Sequence, residues 1–189
     1  IVEGSGDTVT VVAPDRAGVF CRAAGALALR GLDVLQADAY SSDAGMAVSQ
    51  FRVAEPDTPV DWGRVTDDVH ECLKGHLAID ARIAERARVY RRRAALAAKS
   101  AATRVAFDIE SATDATIIEV RTEDHIGVLY HLTRTLAEMG LDIRSAKIQT
   151  ISNEVVDTFY VTGSSGPMLE ELHRREIDSA LRHSLRLVE

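Results

Sequence analysis

Two short runs of the chain set a carboxylate three residues before a glycine: Asp15-Arg16-Ala17-Gly18 and Asp124-His125-Ile126-Gly127. Each run precedes a segment that reads as a helix. The first N–H groups of a helix have no acceptor within it, and with the helix dipole they attract an anion such as a carboxylate. Glycine lets a ligand reach the backbone with no Cβ in the way. The Asp can in turn accept a hydrogen bond from an ammonium or amide group. A ligand carrying both charges within a few bonds is an amino acid, and that is the expected one. An Asp before a helix also has a blander role, as an N-cap worth about 1 kcal/mol. Neither cap would need the other, so the duplication of the run weighs toward a ligand role.

The expected contacts extend a few residues into each helix and to the strand entrance that follows it. From the first run they are Asp15, Arg16, Gly18, Val19 and Phe20, and from the second Asp124, His125, Gly127, Val128 and Leu129. The strand entrances offer Asp33 with Val34 and Asp142 with Ile143. Asp at such an entrance is also ordinary turn chemistry.

Other reactive side chains form no constellation. The six histidines include no pair at helical metal spacing, and the two cysteines, Cys21 and Cys72, stand far apart, so no metal or cofactor is expected. Cys21 sits one turn into a helix, where a thiol can become reactive, but its counterpart in the second run is Tyr130. Phosphate-cradling glycine motifs and nucleophile elbows are absent. No catalytic role is expected of this segment.

What positions the two runs is a repeat. Asp15 and Asp124 lie 109 residues apart, as do Gly31 and Gly140, while Phe51 and Phe159, and Val69 and Ile177, match at 108. A single deletion thus aligns nearly the whole of both halves. In each copy an alternating strand (Val9 and Val11; Ile118 and Val120) leads into the motif and a helix. Leu129, Leu132, Leu136 and Met139 lie on one helical face. Gly31 and Gly140 suit helix C-termini. Hairpins are expected over 33–42 with 46–53, and over 142–151 with 154–162. Second helices are expected over 61–74 and 167–182, and closing strands over 77–81 and 185–188.

Strand, helix, hairpin, helix, strand is the ferredoxin-like βαββαβ order, which places helices on one face of an antiparallel sheet. The fold class is therefore α+β, with one module over 1–83 and another over 104–189. Between them, 84–103 is rich in alanine and arginine and reads as a helical connector. Val105, Phe107 and Ile109 alternate as an additional strand entering the second module.

The bulk properties fit. The 189 residues are 46% hydrophobic and 27% charged, with a net charge of −7. That charge argues against a nucleic-acid partner, and the arginines of 82–93 read as a solvated helix face. No stretch reaches the length of a membrane helix. The absence of a signal peptide and the sparse cysteines point to the cytoplasm. The lack of an initiator methionine suggests a fragment.

At Asp15-Arg16-x-Gly18-Val19-Phe20 and Asp124-x-x-Gly127-Val128-Leu129 the chain resembles the ACT domain family of βαββαβ modules, which bind amino acids and regulate attached enzymes. The second copy adds Ile117-Ile118-Glu119-Val120, Ala146-Lys147-Ile148-Gln149-Thr150 and Asp157-Thr158-Phe159-Tyr160-Val161-Thr162. Together these resemble the C-terminal tandem ACT pair of bacterial PII uridylyltransferases, whose actinobacterial relatives adenylylate PII instead. Ala17 and Ile126 stand where that family commonly has proline, and His125 where it has arginine. The resemblance implies a glutamine-sensing regulatory segment in nitrogen metabolism, without activity of its own. Its implied partners are the catalytic domains of the same chain and PII, and its sheets would pair edge to edge within one chain or in a homodimer. The alternative is an interaction module that docks those partners without binding a ligand.

Overall fold

A computed structural model describes residues 1–55, 58–94, 102–151, 154–164, 166, 167 and 169–186, with 90–94 as backbone. The first half contains β1 (Val2–Ser5), β2 (Thr8–Pro14), α1 (Val19–Arg30), β3 (Val34–Ser41), β4 (Met46–Val53), α2 (Trp62–Lys74) and α3 (Ile79–Ala94). The second contains β5 (Arg104–Asp108), β6 (Thr116–Glu123), α4 (Val128–Glu138), β7 (Leu141–Ile151), β8 (Glu154–Gly163) and α5 (Glu171–Arg186). All eight strands form one antiparallel sheet in the order β1-β2-β4-β3-β7-β8-β6-β5. The α+β architecture of two like modules is therefore present.

The edge strands differ from expectation. Residues 77–81 do not close the first sheet, and Leu185 does not begin a strand. Ile79, Ile83 and Ala87 recur every four residues and are buried on one face of α3. Ile177, Leu181 and Leu185 do the same on α5, each fully buried. That spacing is the helical period, and hydrophobic burial favours extending the helices. The sheet position beside each module's first strand is instead filled from the N-terminal side. Val2 pairs with Val11 and Gly4 with Val9, just as Val105 pairs with Val120 and Phe107 with Ile118. A Cβ on Gly4 would lie 2.2 Å from the Trp62 ring, so the indole of α2 covers ground that a larger residue would occupy.

The expected connector is helical as far as Ala94 but begins earlier, at Ile79. The rest of it, 95–101, lies outside the described residues, as do the 152–153 turn and residues 187–189.

The modules join through β3 and β7, where Gln36 pairs with Lys147, Ala37 with Ala146 and Asp38 with Ser145. Ser145 Oγ donates to Asp38 across this seam at 2.8 Å. The two cores interlock above it. Tyr130 of α4 is buried in the first module's core, and Phe20 of α1 packs against both cores. Arg134 of α4 pairs with Asp80 of α3 at 2.5 Å.

Candidate functional site

Both helices in question start on their glycine. Gly18 (φ 86°) caps α1 and Gly127 (φ 90°) caps α4, and neither helix has a side-chain cap. A left-handed φ is strained for residues with a Cβ, which accounts for glycine at both positions. The carboxylates of Asp15 and Asp124 are thus not N-caps. The first-turn amides of both helices have no side-chain acceptor and can receive one from outside.

The two mouths then diverge. Beside Gly18 lies a cavity of about 170 Å³, walled by Asp15 to Cys21 of the first module and by residues 140–144 of the second. Ala39 and Ser49 form its sheet floor, and Thr133 and Ala137 of α4 close its far side. The volume is that of several water molecules, enough for a small polar metabolite. Of the expected contacts, the cavity gathers Asp15, Arg16, Gly18, Val19 and Phe20 with Asp142 and Ile143. Loop and strand entrance come from different copies. A backbone irregularity at Arg144 interrupts the β7–β8 register at this wall, and the equivalent irregularity at Leu35 interrupts β3–β4. Such bulges turn a strand's side chains toward a site.

Several side chains are fixed there. The Arg16 guanidinium donates to the Leu73 carbonyl at the end of α2, and Arg22 joins it at 3.2 Å. Arg16 therefore ties the loop to α2. Phe20 stacks at a tilt on Phe51, ring centroids 5.0 Å apart. The Cys21 thiol donates to the Gly18 carbonyl at 3.3 Å, and burial pushes its pKa up to about 11, so it stays a thiol.

The second mouth is filled. Asp33 and His125 lie near Asp124 there, while Val34 belongs to the first core, Val128 to the second and Leu129 packs against both. In the repeat, Ala39, Ser49 and Cys21 are replaced by Ile148, Asp157 and Tyr130. Ile148 and Leu129 pack against both cores. A Cβ on Gly127 would lie 2.5 Å from Ile83 of α3, whereas one on Gly18 would meet nothing closer than Cys21 Sγ at 3.6 Å.

Asp157 is the residue that sequence reasoning missed. It is 1% exposed, and both its carboxylate oxygens are buried with no hydrogen-bond partner among the described residues. Burial, reinforced by the charge of Asp124, pushes its pKa up to about 8. Burial and Asp33 raise Asp124 as well. His131, on the first turn of α4, is driven down to about 4 by burial and stays neutral. Strand alternation offered a signal, because Asp157 shares the core-facing parity of Val155, Phe159 and Val161.

The arginines of α3 are partly engaged: Arg86 donates to the Leu29 carbonyl at 3.1 Å, and Arg88 pairs with Glu85. The side chains of 91–93 lie outside the described residues. No set of His, Cys, Asp and Glu suited to a metal ion occurs among the described residues, and none of the described helices is long and apolar enough to cross a membrane.

Two like α+β modules sharing one sheet, with a glycine-capped helix mouth at their junction, make up a tandem unit that resembles a pair of ACT modules. The chain is similar to part of the bifunctional uridylyltransferase/uridylyl-removing enzymes of several bacteria. It is 36% identical over 176 residues to the one from Cereibacter sphaeroides, covering 90% of this chain and 19% of that protein. To the one from Streptomyces coelicolor it is 32% identical over 191 residues, covering 97% of this chain and 23% of that one. The chain thus spans about a fifth of the length of these relatives. No family model matches it. Among solved structures, an unknown protein from Galdieria sulphuraria aligns over 95% of this chain and 91% of its own at 14% identity, with a TM-score of 0.31.

Proposed function

We propose that this segment senses a free amino acid at the Asp15 mouth and thereby controls the uridylyl- or adenylyl-transferring and nucleotidyl-removing activities of a PII-modifying enzyme, with no catalysis of its own. One observation carries the reading: the cavity at Gly18 is built from the loop of one module and the strand entrance of the other. The ligand's carboxylate would sit on the open amides of α1, and its ammonium would face Asp15 or Asp142. Glutamine is the first candidate, on the resemblance to the nitrogen-regulating enzymes. A ligand held by both modules favours one arrangement of them over another, which regulation requires.

Sensing at millimolar concentration needs only about 4 kcal/mol of binding. Isothermal titration of the chain with L-glutamine tests the proposal. One saturable event per chain is expected; no heat up to about 10 mM contradicts it.

A further inference from the structure

Resting on that reading of the first mouth, we infer that the Asp124 mouth is a second amino-acid site held shut by α3, with Ile83 as the latch and Asp157 as the buried carboxyl group that receives the ligand's ammonium. Three observations meet there. The N-terminus of α4 has no side-chain cap, like that of α1. Asp157 stands at the floor position that Ser49 holds in the open mouth, and its two oxygens are buried with no donor. A carboxyl left without a partner in an interior is costly unless something else uses it. Finally, Ile83, 1% exposed, lies against the bare backbone of Gly127.

The latch lies at the very end of the first module. α3 begins at the end of the first module and runs on beyond it, and no described element holds the corresponding place against Gly18. Along the outer side of α3 runs a cavity of about 660 Å³, lined by Leu29, Arg82, Glu85, Arg86 and Ile126. Ile126 belongs to the Asp124 loop, so this cavity borders that loop. Withdrawal of α3 would open a path from it to Gly127 and Asp157. Seating of α3 and occupancy of the second mouth exclude each other, so the linker between the modules responds to the ligand.

Two measurements on the whole chain test this. In titrations with L-glutamine, Ile83→Ala is expected to raise the stoichiometry from one to two, and adding Asp157→Asn to return it to one. The first binding event reports that each variant is folded. In unaltered protein, hydrogen exchange of the α3 amides should quicken only at glutamine concentrations beyond those that fill the first mouth. If unaltered protein binds no glutamine, the sensing proposal itself fails. If it binds one, and α3 exchange stays unchanged at all concentrations, the latch is overturned, whether or not Ile83→Ala folds; a folded Ile83→Ala protein with one site overturns it equally.

Discussion

Ala37 pairs directly with Ala146 across the seam between the modules, and the two are the same position of the repeat. A pseudo-two-fold axis therefore passes between them. It carries each module's helix mouth toward the other's strand entrance, which explains why Asp15 shares a cavity with Asp142 rather than Asp33. Both alanines are buried, at 1% and 0% exposure. Ala146→Leu should overpack the seam and cost about 1–3 kcal/mol in urea denaturation. Glutamine affinity should fall with it.

Asp15 is exposed and caps no helix. Asp15→Ala should accordingly leave the melting temperature unchanged while weakening glutamine binding about tenfold, or about 1.4 kcal/mol. A stability loss typical of a missing cap, with binding intact, would sink the ligand role. Ser49→Leu should abolish binding by filling the floor of the cavity, with the helical circular dichroism retained.

The two capping glycines should respond unequally to substitution. Gly18→Ala meets only the left-handed φ, costing about 1–2 kcal/mol. Gly127→Ala meets the same strain and also drives a methyl into Ile83, so its loss should be larger. Paired denaturation curves check the order.

The sequence made the repeat legible through the 109-residue spacing of Asp15 and Asp124, and with it the hairpin strands and the left-handed glycines Gly31 and Gly140 at the helix ends. The N-terminal edge strand of the second module was readable at Val105 and Phe107, but that of the first was not. Val2–Ser5 is short and buries little beyond Val2, so it carries almost no alternation of its own. The runs at 77–81 and 185–188 read equally as strand or helix until Ile83, Ala87, Ile177 and Leu181 are counted with them. Site residues were readable where the backbone needs a particular residue type, as at Gly18 and Gly127. The difference between open and filled mouths depends on Ala39, Ser49 and Cys21 against Ile148, Asp157 and Tyr130, which local spacing does not bring together.

Asp157 and His131 should shape the pH dependence in opposite senses. The folded pKa of Asp157, about 8, lies above its unfolded value. Folding then binds a proton, and stability falls as pH rises from about 4 to 8. His131, at about 4 when folded, lies below its unfolded value near 6.5, so stability falls as pH drops through that interval. The two slopes oppose one another between about pH 4 and 6.5. Above that, Asp157 acts alone, with a loss of up to about 1.4 kcal/mol per pH unit until about pH 8. Asp80, His125 and Arg134 face His131, while Asp124, itself facing Asp33 and His125, faces Asp157, and these groups set the background. Asp157→Asn should flatten the limb between pH 6.5 and 8, as read from urea midpoints. A limb that persists in the variant would assign it to another group.

Chemical-shift mapping of the backbone amides during a titration with L-glutamine tests most directly where the ligand goes. Below saturation of the first event, Gly18, Val19, Phe20 and Cys21 should shift together with Asp142, Ile143 and Arg144. Shifts confined to one module, or centred from the outset on Asp33 and Gly127, would contradict a ligand held between the Asp15 loop and the second module's strand.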